Sequence, residues 1–311
     1  MNREIFKKKR KNKKWLKVIG IILGLLFIAT GAFAYSVLNS ISNTAETIHN
    51  PIERETEKRV ETLTLNKQQP FSVLLLGVDE RDYDKGRSDT MITVTVNPET
   101  KSVKMLSIPR DTLTEIIGYG IEDKINHAYA FGGPEMSMNT VENLLDIPID
   151  YYVKINMEGF EDLVDAVGGV TVDNTFAFSY AGARFPLGSI ELTGETALKY
   201  TRMRYEDPNG DFGRQTRQRQ VIEGIVREGI SLSSITNYQK IFNALGENIE
   251  TNMTLNEIWD IQKNYRDALN SIEQLTMESS GTKIDNVYYG IIADEEIERI
   301  QAELQAHLEM S

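Results

Sequence analysis

Twenty-one consecutive residues, Val18 to Leu38 (VIGIILGLLFIATGAFAYSVL), carry no charged side chain. At ~1.5 Å rise per residue a helix of that length spans the roughly 30 Å hydrocarbon core of a bilayer. The flanking sequence assigns an orientation. Residues 1–17 (MNREIFKKKRKNKKWLK) hold nine Lys/Arg and one Glu, and a basic cluster of this kind stays cytoplasmic. The residues after 38 are therefore expected outside the cytoplasm, behind one N-terminal transmembrane helix, in a single-pass type II protein of the cell membrane. Ala32-Phe33-Ala34 resembles a small-residue cleavage site, but the run exceeds a signal h-region of about 7–15 residues. An uncleaved anchor is the expectation.

Charge narrows the partners. Removing the tail's nine Lys/Arg and one Glu from chain totals of 34 and 46 leaves 25 against 45, so residues 39–311 carry a net charge of −20. No nucleic-acid partner is expected of such a domain. Any anion it binds must be held by locally focused arginines. The chain has no cysteine, which excludes a disulfide framework, a thiolate nucleophile and a cysteine-based metal site.

Residues 39–69 are polar with few large apolar side chains and read as a stalk, with the folded domain over 70–311. FSVLLLGVD (71–79) suits a buried strand. TMITVTV (90–96) alternates, Asn97-Pro98-Glu99-Thr100 is a turn, and KSVKMLSI (101–108) is its hairpin partner. Helices are expected over 134–146, 159–167, 193–204, 213–229, 234–247 and 254–276, and from Asp294 onward. Strands are expected at 151–156, 170–173 and 287–292. Gly168-Gly169 stops the second helix, and Thr193 is the expected N-cap of the third. Strands interleaved with helices predict an α/β fold in layered form. Asp79 closes the first strand, where open α/β sheets bind ligands.

Three polar clusters follow apolar strands or lie beside them: GVDERDYDKGRSDT (77–90), Pro109-Arg110-Asp111, and RMRYEDPNGDFGRQTRQRQ (202–220), which packs five arginines into one short stretch. Arginine mixed with aspartate is the composition of a divalent-cation and polyphosphate site. Carboxylates hold the metal, and guanidinium forks hold phosphate oxygens. Each pair taken singly is as readily a surface ion pair. Arg214 and Gln218 share a helical face that Val221 and Ile225 continue. Arg217 and Arg219 fall on other faces and are expected solvated or paired with Glu223. His127 is expected as a hydrogen-bonded loop residue.

In order and spacing, LLLGVDER, RSDTM, SIPRD, KINHAY and RMR followed by D-x-x-R-x-x-x-Q resemble the LytR-CpsA-Psr family of cell-wall polymer transferases, over about residues 70–250. The resemblance implies a layered α-β-α extracytoplasmic domain with a central mixed sheet. It implies transfer of a teichoic acid or similar glycopolymer from undecaprenyl pyrophosphate to a muramic acid hydroxyl of peptidoglycan, at a Gram-positive membrane. It gives Asp79 and Asp89 as ligands of Mg²⁺, with Mn²⁺ as the alternative. Arg87, Arg110, Lys124, Arg202, Arg204, Arg214 and Gln218 would hold the pyrophosphate, and Asp211 joins the catalytic set. Asp79, Asp89, Asp111 and Asp211 stay open as the base. Helices 134–146 and 157–167 could line an apolar tunnel for the lipid. The alternatives are a pyrophosphatase on the same lipid and a non-catalytic polyprenyl-phosphate binder.

Overall fold

The computed structural model describes residues 39–310 apart from 53, 55–57, 60–61, 81–85, 232–240 and 242–245. The tail 1–17, the expected span 18–38, Arg81 and most of the helix expected at 234–247 lie outside the described residues. Among the described residues no helix is long and apolar enough to cross a membrane.

Residues 39–48 form a helix, α1. A three-stranded meander follows: β1 (Phe71–Val78), β2 (Ser88–Asn97) and β3 (Ser102–Ser107), antiparallel throughout. Its turn is the expected one, with Asn97 Oδ1 accepting from the amides of Glu99 and Thr100 at 2.9 Å each. A ribbon of β4 (Leu113–Ile116) and β5 (Ile121–Lys124) leads into α2 (His127–Leu145), then β6 (Tyr151–Asn156) and α3 (Met157–Ala166). Four short strands, β7 (Val170–Asn174), β8 (Phe178–Tyr180), β9 (Ala183–Phe185) and β10 (Gly188–Leu192), precede the hairpin of α4 (Gly194–Arg202) and α5 (Gly210–Ser231). The chain closes with β11 (Ile249–Thr251), α6 (Leu255–Asn264), β12 (Ser271–Thr276), the hairpin β13 (Ser280–Ile284) and β14 (Val287–Ile291), and α7 (Asp294–His307).

The central sheet is mixed, in the order β11-β6-β1-β2-β3-β12, with β6 and β12 parallel to their inner neighbours. Side chains alternate across β1. Leu74, Leu76 and Val78 pack under α2 and α7, while Val73 and Leu75 face the opposite side. There Leu75 and Ile222 of α5 pack against the same buried cluster. Helices thus cover both faces of the sheet, as a layered α/β domain requires.

Three expectations are corrected. The helix expected over 254–276 stops at Asn264, because the backbone of Ser271–Thr276 is taken up by parallel pairing with β3. The β4–β5 ribbon and strand β13 were expected as loop. The described residues of the segment 39–69, read as a stalk, lie along the domain. Ile41, Ala45 and Ile48, spaced as one helical stripe, are buried with Ile249. Arg54 pairs with Glu142 and donates to the Ile149 carbonyl at 2.7 Å, and Arg59 Nη2 meets Asp150 Oδ2 at 2.8 Å. Apolar contacts and ion pairs scattered through a polar segment are too sparse a pattern to be legible as packing in the sequence.

Candidate functional site

Strand direction brings the first carboxylates together. β1 and β2 run antiparallel, with Gly77 opposite Thr90 and Val78 opposite Ser88. Asp79, which follows one strand, and Asp89, near the start of the other, therefore come to the same end of the sheet. β3 finishes at that end as well, so Arg110 reaches Asp89, Nη1 to Oδ1 at 2.7 Å. Gly86 closes the intervening loop with φ +71°, and a Cβ there would lie 2.5 Å from the Asp79 carbonyl oxygen. Only glycine fits without displacing the Asp79 backbone.

The α4–α5 hairpin supplies the remaining cations. Arg202 ends α4 and touches the Met157 sulfur. Asp211 lies in the first turn of α5, where the helix dipole favours a carboxylate. Its Oδ1 is 2.8 Å from Arg214 Nη2 and 3.5 Å from Arg204 Nε. One turn on, Gln218 donates to Thr90 Oγ1 at 2.9 Å, which ties α5 to β2.

Part of this set opens on a cavity of about 380 Å³, while Arg110, Arg204 and Asp211 stand beside it, off its lining. Asp79, Asp89, Thr90, Arg202, Arg214 and Gln218 line it near the strand ends, and Leu75, Val153, Phe160, Leu163, Leu198 and Ile222 line the remainder. Following β1 from Asp79 back to Leu75 leads from the charged mouth to the apolar interior. α3 forms part of the wall as expected, whereas α2 does not: residues 134–146 pack on the other face of the sheet. The α5 stripe facing the cavity is Arg214, Gln218, Ile222, Ile225 and Val226, while Val221 turns into a second core beside β7 and β10.

Electrostatics mark the mouth as an anion site. Burial lowers the Arg214 pKa, Asp211 opposes that, and Arg110 and Arg204 add to the lowering. Its Nε is buried without a hydrogen-bond partner. Burial also acts to lower Arg110, but Asp89, followed by Asp111 and Asp211, carries it above the usual arginine value. Guanidiniums crowded out of water gain more from a phosphate than solvated ones do. Asp79 and Asp89 present two carboxylates to the same cavity. Among the described residues no group of three or more His, Asp or Glu side chains could hold a metal by itself. Two carboxylates suit a Mg²⁺-like cation whose other oxygen ligands come from phosphate and water.

Four of the seven expected phosphate ligands, Arg87, Arg110, Lys124 and Arg204, do not line the cavity. Arg87 is exposed. Lys124 Nζ sits 2.8 Å from Asp111 Oδ1, and Asp111 Oδ2 is 3.8 Å from Arg110 Nε. The expectation for Arg217 and Arg219 is overturned, since both are buried, at 4% and 2% exposure. Arg217 pairs with Asp207, donates to the carbonyls of Tyr200 and Met203, and lies over the Phe178 ring. Arg219 donates to Ser107, Gln274 and Thr216, and Glu223 instead pairs with Arg227. Sequence reasoning missed Asn156 of the cavity wall. It ends β6, whose parallel pairing with β1 puts its carboxyl end at the site, and the strand-end rule would have found it had that pairing been known.

The LytR_cpsA_psr family matches residues 35–306. The chain is 52% identical over 303 residues to the polyisoprenyl-teichoic acid–peptidoglycan teichoic acid transferase TagU of Halalkalibacterium halodurans, covering 96% of this chain and 100% of that protein. The crystal structure of Bacillus subtilis TagU is 51% identical, with a TM-score of 0.65 over 78% of this chain and 98% of its own. A structure of TagT bound to LI-WTA is 32% identical, with a TM-score of 0.72 over 84% and 100%.

Proposed function

Because the chain belongs to the LytR_cpsA_psr family, we propose that it is a transferase that moves a teichoic acid or similar anionic glycopolymer from undecaprenyl pyrophosphate to a muramic acid hydroxyl of peptidoglycan. The observation that carries this is the polarity of the cavity. Its charged mouth suits a pyrophosphate, and its apolar interior suits the polyprenyl chain attached to one.

The acceptor hydroxyl gives its proton to a site carboxylate, with Asp79, Asp89, Asp111 and Asp211 as the candidates. Its oxygen bonds to phosphorus as the P–O bond to the leaving lipid phosphate breaks, the two oxygens roughly in line. Charge builds on the leaving phosphate, beside Arg202 and Arg214 at the mouth. Arg110 and Arg214 are already aimed by Asp89 and Asp211, so they stabilise that charge with little reorganisation. Asp89, Asp111 and Asp211 each lie against a cation at 2.7–2.8 Å and thereby fix its position. A divalent cation on Asp79 and Asp89, Mg²⁺ or alternatively Mn²⁺, would neutralise further charge on the pyrophosphate. Val18–Leu38 anchors the protein to the membrane that carries the lipid, with the domain outside the cytoplasm of a Gram-positive cell; the uncharged run and the basic tail before it support this.

The test incubates the detergent-solubilised full chain with an undecaprenyl pyrophosphate-linked glycan, peptidoglycan oligomers and Mg²⁺, and reads products by mass spectrometry. A Mg²⁺-dependent glycan–phosphate–peptidoglycan adduct is expected. Release of lipid phosphate without an adduct would make the protein a pyrophosphatase, and binding without turnover would make it a carrier-lipid binder.

A further inference from the structure

Arg110 is held between Asp89, which lines the cavity, and Asp111, which does not. From Asp111 a continuous row of side chains leads away along the β4–β5 ribbon. Lys124 meets Asp111 and lies 5.7 Å from the centre of the Tyr289 ring. The Tyr289 hydroxyl donates to Asp123 Oδ1 at 3.3 Å, and His127 Nδ1 lies 2.6 Å from Asp123 Oδ2. The His127 ring meets Phe131 edge-on at 5.9 Å, and Phe131 stacks on Tyr119 at 4.2 Å with 9° between planes.

The two stacked rings are wet, at 52% and 38% exposure, and the backbone is irregular at both. Tyr119 stands at the ribbon tip between Gly118 and Gly120, both with positive φ. Phe131 precedes the non-helical kink of α2 at Gly132-Gly133. A flat aromatic platform preceded by hydrogen-bonding groups is the chemistry that binds a chain of sugar rings, with C–H faces on the aromatics and hydroxyl or acetamido groups on the polar side chains. Each strand has four residues, so at ~3.3 Å per residue the row is about 13 Å long, room for more than one ring.

Two observations select the acceptor over the donor. In-line transfer brings the entering hydroxyl from the side opposite the leaving lipid phosphate, and the row begins beyond Arg110 from the cavity that would hold that lipid. The ribbon is also acidic, with Glu115 and Glu122 paired across it and Asp123 beside them, which repels an anionic donor polymer. We propose that the row from Lys124 to Tyr119 and Phe131 binds the peptidoglycan glycan strand and sets which hydroxyl reaches phosphorus. This rests on the transferase reading above.

The test compares the full chain in detergent with the double variant Tyr119→Ala/Phe131→Ala, which removes exposed rings, and with His127→Gln. Two ligands are titrated separately: an N-acetylated tetrasaccharide fragment of peptidoglycan, and a short-chain polyprenyl pyrophosphate disaccharide. The double variant should bind the tetrasaccharide about tenfold more weakly, about 1.4 kcal/mol. Its acceptor KM should rise with kcat little changed, and donor binding should be preserved. His127→Gln should show a smaller loss in the same direction. Equal tetrasaccharide binding by parent and double variant, or none by the parent while the donor binds, overturns the inference and leaves the transferase standing. Weakened donor binding in the double variant overturns it too, by giving the row to the donor glycan. A parent that binds no donor sinks the transferase reading and this inference with it.

Discussion

Arg214 and Arg217 sit three residues apart on α5, and their surroundings differ in kind. Every face of the Arg217 guanidinium is occupied, by the Asp207 carboxylate, two backbone carbonyls and the Phe178 ring. Arg214 has one carboxylate partner, two neighbouring cations and a buried Nε with no hydrogen bond. The first arginine is satisfied by the fold, whereas the second gains its remaining partners from an anion. A guanidinium's role is therefore read from how completely its fork is occupied, and burial alone does not decide it.

The largest expected effect breaks the satisfied member. Arg217→Ala leaves the buried Asp207 uncompensated and should cost about 3–5 kcal/mol of stability, visible as a much lower urea midpoint. An unchanged midpoint would show that the pair adds nothing. Next comes the open member. Arg214→Ala, or Arg110→Ala behind Asp89, should lower transfer by about 10²–10³ while the urea midpoint stays near that of the parent. A comparable loss of fold stability would place these residues in the Arg217 class.

A third prediction tests a buried structural group that titrates. His307 is held by Thr95 and Ser102 through its two ring nitrogens. Burial, helped by the nearby Lys104, lowers its pKa to about 4. The unfolded chain takes up the proton near pH 6.5, so this contribution is complete above that pH. It is lost as pH falls from 6.5 towards 4, roughly 3 kcal/mol at most. His307→Gln should flatten that acid limb relative to the parent, and an identical limb would remove His307 as its cause. The smallest effect is expected at the half-exposed Arg227–Glu223 pair. Arg227→Ala should change stability by less than about 0.5 kcal/mol and leave transfer unaltered; a larger change would mean that even exposed arginines on α5 are structural.

Much of the site was legible because it sits where short motifs meet strand ends. Asp79, Asp89 and Arg110 follow from a meander whose strands and turn are visible as alternation and an Asn-Pro turn, and Arg214 and Gln218 follow from helical spacing. Of the cavity, only the α3 wall was legible. Its walls come from β6, α3 and α5, which are distant in sequence and are brought together by a parallel pairing that leaves no local pattern. The helix expected over 254–276 failed for the same reason, since its second half gained more from pairing with β3 than from continuing the helix.

The amino-acid sequence by itself determined the charged motifs, their order, the uncharged run before residue 39 and the family that the motif set resembles. Each is a property of neighbours along the chain. Tertiary structure alone decided which arginines are satisfied and which are open, and where the apolar interior lies. It also decided that Lys124 faces Asp111 beside a row of aromatic and polar side chains, away from the cavity. Those outcomes depend on which groups from remote segments fill a guanidinium's hydrogen-bonding positions, and spacing along one helix carries no record of them.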